Sequence, residues 1–98
     1  MTRVISVNSI VVASSDQVSC DLAGEAAILR FNSGVYYGLD AVGAYIWNLI
    51  QQPITVSALR DAVLEAYDVE PTRCERDLLA LLRKLADEGL IEVRSAKA

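Results

Sequence analysis

The run Glu25-Ala26-Ala27-Ile28-Leu29-Arg30-Phe31, the break Asn32-Ser33-Gly34 and the run Val35-Tyr36-Tyr37-Gly38-Leu39 constrain this chain's fold more than any other stretch. The first run is apolar at nearly every position, the pattern of a central strand neighboured on both edges. The break carries residues that tolerate positive φ, and the second run resumes the pattern, so the pair reads as a hairpin with a short loop. Because side chains alternate along a strand, Val35, Tyr37 and Leu39 share one face while Tyr36 and Gly38 share the other. The odd-numbered set is the expected core face. Upstream, Ile10-Val11-Val12-Ala13 is β-rich, Ser14-Ser15-Asp16 is a turn cluster, and Val18 to Leu22 alternates. These read as one irregular first strand or hairpin, which completes a three-stranded antiparallel sheet.

The second half has helical periodicity. Asp40 is placed to cap a helix whose Val42, Tyr45, Ile46, Leu49 and Ile50 form one buried stripe, ended by Pro53. Thr55 can cap a second helix with Leu59, Ala62, Val63, Ala66 and Tyr67 at the same spacing, followed by the break Asp68-Val69-Glu70. Pro71 and the capping-box pattern Thr72-Arg73-Cys74-Glu75 mark the start of a third helix running to about Glu88, and Gly89 is its left-handed stop. Leu90 to Val93 reads as a short extended tail packing back. The expected fold is α+β: an N-terminal three-stranded antiparallel sheet followed by a three-helix winged-helix-like bundle. One domain is expected over residues 1–98, with its core from about 10 to 93.

Composition narrows the function. The chain has 98 residues, 53% of them apolar, enough for a compact core with little room for a deep active-site cavity as well. Nine Lys and Arg stand against 13 Asp and Glu, and the net charge of -4 disfavours attraction to a phosphate backbone. With no histidine, the commonest metal ligand and the commonest general base near neutral pH are both missing. Cys20 and Cys74 lie too far apart for a zinc or redox motif and read as ordinary thiols, and the aspartates do not cluster at metal-ligand spacing. No enzyme activity and no cofactor are expected. The N-terminal residues lack a signal-peptide pattern and no apolar run approaches a membrane span, so a cytoplasmic location without membrane contact is expected.

Two features remain after core packing is assigned. As the last strand of a meander, Val35 to Leu39 leaves one edge of unpaired N–H and C=O groups, with no Pro, no Lys and no charge before Asp40 to block an incoming strand. The other feature is the third helix. There Cys74, Leu78, Leu81, Leu82 and Leu85 form the buried stripe, while Leu79 falls beside Glu75, Leu82, Arg83 and Ala86 on a flank mixing apolar and charged groups. An apolar floor with a charged rim is what a peptide groove needs. Tyr36 and Trp47 are further contact candidates, each more commonly a core residue. A winged-helix DNA reader is the competing reading, but the third helix balances Arg73, Arg76, Arg83 and Lys84 against Glu75, Asp77, Asp87 and Glu88.

The stretch from Ile28 to Trp47, with Tyr-Tyr-Gly-Leu at Tyr36 to Leu39, Asp40-Ala41-Val42-Gly43 and Ile46-Trp47, resembles the PqqD family, also called RiPP recognition elements. Thr55-Val56-Ser57-Ala58-Leu59 and the closing Leu85-Ala86-Asp87-Glu88-Gly89-Leu90-Ile91 extend the likeness over nearly the whole chain after about Val11. Within that family it looks most like the stand-alone recognition proteins of lasso-peptide biosynthesis. The resemblance implies binding of the leader segment of a ribosomally made precursor peptide, presented to maturation enzymes. Those would be a leader peptidase and a cyclase, or a radical enzyme in another branch. It also implies that the leader adds as a strand and lies against the third helix. Placed on this sequence, the peptide-binding residues are Val35, Tyr36, Tyr37, Gly38 and Leu39 on the strand and, from the helical wheel, Leu79, Leu82, Arg83 and Ala86. One departure is Glu70, where the family often has Asp before the proline. Glu is a poorer cap, so the helix start is expected to lean on Thr72.

Overall fold

The computed structural model describes residues 5–15, 17–34 and 36–94. Along the chain run β1 (Ile10–Ala13), β2 (Gln17–Leu22), β3 (Glu25–Arg30), β4 (Tyr36–Leu39), α1 (Ala41–Leu49), β5 (Ile54–Thr55), α2 (Val56–Ala66), α3 (Pro71–Asp87) and β6 (Ile91–Arg94). The fold is α+β, with two three-stranded antiparallel sheets where one was expected. Strands β2, β3 and β4 form a continuous meander. In the other sheet β1 lies between β5 and β6, pairing Ile10 with Thr55 and Arg94, and Ala13 with Ile91.

The segment from Ile10 to Leu22 is therefore two strands in two sheets, not one irregular strand or hairpin. In β1 both Val11 and Val12 are buried, so the strand is covered on both faces and its apolar run lacks the alternation of a one-sided strand. The expected extended tail is likewise a paired strand, β6. Just beyond β1, the Ser14 amide donates to the Leu90 carbonyl at 2.9 Å and its hydroxyl to the Gly89 carbonyl at 2.9 Å, which turns the chain away toward β2.

Helix α1 starts at Asp40, whose carboxylate accepts from the Gly43 amide at 2.9 Å, as the sequence indicated. Its buried face keeps Ile46 and Ile50 of the expected stripe but is rotated away from Val42. Val42 is exposed and Tyr45 and Leu49 are half-buried, while Gly43, Ala44, Ile46, Trp47 and Ile50 face inward. Two contacts set this rotation. The Trp47 indole, 2% exposed, donates to the Ser19 hydroxyl of β2 at 3.1 Å, and Gly43 lies so close to β4 that an added Cβ would stand 3.1 Å from Leu39 Cδ2. Trp47 is thus a core residue.

Thr55 caps α2 by accepting from the Ala58 amide, and Val56, Leu59 and Val63 are its buried residues. Helix α3 begins at the expected proline, but Glu70 rather than Thr72 caps it. The Glu70 carboxylate accepts from the Thr72 amide at 2.6 Å and the Arg73 amide at 3.3 Å, placing an anion at the positive end of the helix. Glu75 is free to do something else: its carboxylate meets Arg60 of α2 at 2.8 Å. Gly89, at φ +74, ends α3 as expected.

Gly89 is also required by a close approach. The Arg30 guanidinium of β3 lies against it, so an added Cβ would be 2.6 Å from Arg30 Cζ, and Arg30 Nη1 donates to the Glu88 carbonyl at 3.2 Å. A cation thereby sits at the negative end of α3 and ties the meander to the helix. The shared core gathers Ile28 and Leu39 from the meander, Val11 and Ile91 from the other sheet, and Ile46, Leu59, Leu78, Leu82 and Leu85 from the helices. No described helix is long and apolar enough to cross a membrane.

Candidate functional site

Strand β4 is paired on one side, matching Leu39 with Ala26, Gly38 with Ala27, Tyr37 with Ile28 and Tyr36 with Leu29. Among the described residues no hydrogen bond joins its other edge to another element. The alternation follows the sequence pattern. Leu39 is buried and Tyr37 half-buried, while Tyr36 is 66% exposed on the outer face with Gly38. Val35 lies outside the described residues.

Beside this edge runs a groove of about 730 Å³ between β4 and α3. Tyr37, Gly38 and Leu39 form one wall, Val42, Gly43 and Ile46 of α1 the floor, and Arg73, Cys74, Asp77, Leu78 and Leu81 of α3 the far wall. Asp68, Val69 and Glu70 close the end near the α3 N-terminus. Farther along α3 the Lys84 ammonium stands 5.7 Å from the centre of the Tyr37 ring, bringing helix and strand together where the Arg30 tie also acts.

The helix residues proposed from the wheel occupy the opposite flank. Leu82 is fully buried (0% exposed), Leu79 and Ala86 are half-buried against the core, and Arg83 is exposed. None of the four lines the groove. Leu79 follows one turn after Glu75, which pairs with Arg60, so this flank looks toward α2. The flank that meets β4 carries Arg73, Asp77, Leu81 and Lys84, at the same helical spacing.

The groove has an apolar base, with Leu39, Ile46, Val63 and Leu78 all buried, and a charged rim of Asp40, Asp68, Arg73 and Asp77. Asp40 and Glu70 are engaged as helix caps. Arg73 lies 3.7 Å from Asp77. Burial pushes the Cys74 thiol up, with Asp77 and Glu75 adding to the shift against Arg60, so it stays protonated and inert at neutral pH. Among the described residues no group of three His, Cys, Asp or Glu side chains gathers to hold a metal ion. The arrangement offers backbone hydrogen bonds, apolar contact and peripheral charge, the means by which an extended chain is held.

Residues 25–91 match the family described as Coenzyme PQQ synthesis protein D (PqqD). The chain belongs to the PqqD family. The matched stretch spans β3 to the first residue of β6, and so includes both walls of the groove. Among solved structures, this PqqD-family chain is similar to TbiB1 in complex with the TbiA(beta) leader peptide. The two share 37% sequence identity over 83% of this chain and 94% of that one, with a TM-score of 0.77. No curated protein matches this PqqD-family member in sequence.

Proposed function

We propose that this chain binds the leader segment of a ribosomally synthesised precursor peptide by strand addition to β4. It then presents the precursor to maturation enzymes, a leader peptidase and a cyclase of lasso-peptide biosynthesis. The observation that carries the reading is the open edge of Tyr36–Leu39 running beside an apolar groove walled by α3. The likeness to TbiB1, solved with a leader peptide, supports it. The bound strand would take its hydrogen bonds from Tyr36 and Gly38, every second residue of the edge, the backbone groups of Tyr37 and Leu39 being turned toward β3. Its side chains would meet Leu81, with Arg73, Asp77 and Lys84 at the rim; this replaces Leu79, Leu82, Arg83 and Ala86 as the proposed helix face.

In this reading the chain is a binding domain and not an enzyme, acting in the cytoplasm where precursors are made. A radical enzyme in place of the peptidase and cyclase would assign it to another branch of the same family. DNA binding is disfavoured by the net charge of -4 and by the acidic side chains interspersed along α3.

Calorimetry with a synthetic leader, made from the precursor encoded beside this gene, tests the proposal. Binding is expected, and Tyr36→Pro, which removes a backbone donor at an exposed position, is expected to weaken it about tenfold or more. The variant's thermal melt should remain cooperative, since proline is tolerated at the first residue of an edge strand. No heat with any neighbouring precursor overturns leader recognition, and normal binding by a folded Tyr36→Pro variant overturns docking at β4.

A further inference from the structure

Pairing with β4 is blind to the sequence of the incoming chain, because Tyr36 and Gly38 offer it only backbone groups; selectivity has to come from pockets for side chains. The edge stops at Asp40, where α1 begins, but the groove does not. It continues past Leu39 over Val42 and Ile46 of α1, Val63 of α2 and Cys74 of α3 to Val69, in the connection between α2 and α3. This continuation is apolar. Ile46 and Val63 are each 4% exposed and Cys74 7%, so they form a closed base. Cys74 is the one smaller side chain in the row Cys74, Leu78, Leu82 and Leu85 that α3 buries, which leaves depth there. Val42 and Val69 stand 39% and 44% exposed on separate elements and line the same hollow.

A single exposed valine needs no explanation, but two from separate elements above a buried apolar base make a concave apolar surface, the form of a side-chain anchor site. Carboxylates around it are engaged elsewhere: Asp40 and Glu70 accept from helix amides, and Asp77 lies 3.7 Å from Arg73. We infer that the leader is recognised beyond its strand-paired residues, through one bulky apolar side chain seated against Val42 and Val69 over Ile46, Val63 and Cys74. This rests on leader binding at β4, with which the hollow is continuous, so the occupant is the same chain running on past Leu39. The anchor selects among leaders. An apolar side chain that fills the hollow gains its burial, whereas a charged one would lose its hydration there without a partner.

The test measures, by calorimetry on the full chain, the synthetic leader of the precursor encoded beside this gene and its single-alanine variants. Val42→Ser and Val69→Ser should each weaken the leader about fivefold, and the double variant about tenfold or more. Both side chains are exposed, so the thermal melts should stay cooperative. Val18→Ser, which removes a comparably exposed valine from β2, should leave leader affinity unchanged. One alanine substitution, at a bulky apolar leader position, should weaken binding to the unaltered chain about tenfold and binding to the double variant hardly at all, since both changes remove the same contact. Unchanged affinity in the double variant, an equal loss with Val18→Ser, or additive effects at every leader position overturn the inference. Leader binding at β4 survives those outcomes, because the unaltered chain still binds and Tyr36→Pro still weakens it. A leader that fails to bind the unaltered chain overturns both.

Discussion

The two sheets are built oppositely. The sheet of β5, β1 and β6 joins residues 10–13, 54–55 and 91–94, which lie far apart along the chain, and its central strand is buried on both faces. The meander of β2, β3 and β4 is drawn from one local stretch between residues 17 and 39 and, among the described residues, leaves both outer edges without a strand. The non-local sheet closes the core, whereas the local one is fastened to that core by one face and spends its backbone groups outward. Such a division lets the edges stay open without threatening stability, because the core is secured elsewhere.

The contrast is broken most severely at the core. Leu82, fully buried on α3, is expected to cost about 3 kcal/mol when changed to Ala, through lost transfer energy and the cavity left behind. Leu29→Ala, on the outer face of the meander where the side chain is 40% exposed, is expected to cost less than about 1 kcal/mol. Urea unfolding of both variants measures the difference. Equal losses would mean that the meander, too, carries the stability of the fold.

Next in size is the tie between meander and helix. Gly89→Ala puts a Cβ into the Arg30 guanidinium and asks alanine to hold φ +74, an expected loss of about 2 kcal/mol. Because Arg30 ties the meander to the end of α3, leader affinity measured on the folded fraction should fall as well. If stability falls while affinity does not, the groove is held by α1 alone.

Which of these features could be read from residues follows from how local their causes are. The β3–β4 hairpin, the caps Asp40 and Thr55 and the stop at Gly89 are each specified within a few residues, and each stands where the sequence indicated. The pairing of β1 with β6 was hidden because its partners are some 80 positions apart, and a tail with the apolar content of Leu90 to Val93 can pack as coil or pair as strand. The groove face of α3 was hidden for another reason. Periodicity counted Leu81 with Cys74, Leu78, Leu82 and Leu85 in the buried stripe and left Leu79 on its flank, whereas both leucines are half-buried, one on each side of the stripe, and Leu81 is the one in the groove. Only the position of the meander distinguishes them.

The α3 cap gives a smaller effect. Glu70→Ala removes the acceptor for two amides and the anion at the helix start, an expected loss of about 1 kcal/mol. Glu70→Asp should recover most of it if cap geometry, and not side-chain length, is what matters. Thermal melts of the pair decide this. A neutral Glu70→Ala would return the capping role to Thr72.

The smallest expected effect discriminates between the flanks of α3 directly. Lys84→Gln and Arg83→Gln each remove one positive charge from adjacent positions, separated by about 100° around the helix. Lys84 alone faces the meander, with its ammonium over the Tyr37 ring on the strand where the leader is proposed to add. A cation on an exposed aromatic face contributes about 0.5–1 kcal/mol, so Lys84→Gln should alter leader affinity by about threefold. Arg83→Gln should leave both affinity and melting temperature unchanged within error, whereas Lys84→Gln should also lower the melting temperature by a few degrees through the lost contact with Tyr37. Equal effects from both would point to overall charge as the cause, and a larger effect from Arg83 would bring the leader around to the flank facing α2, where Leu79 and Ala86 lie.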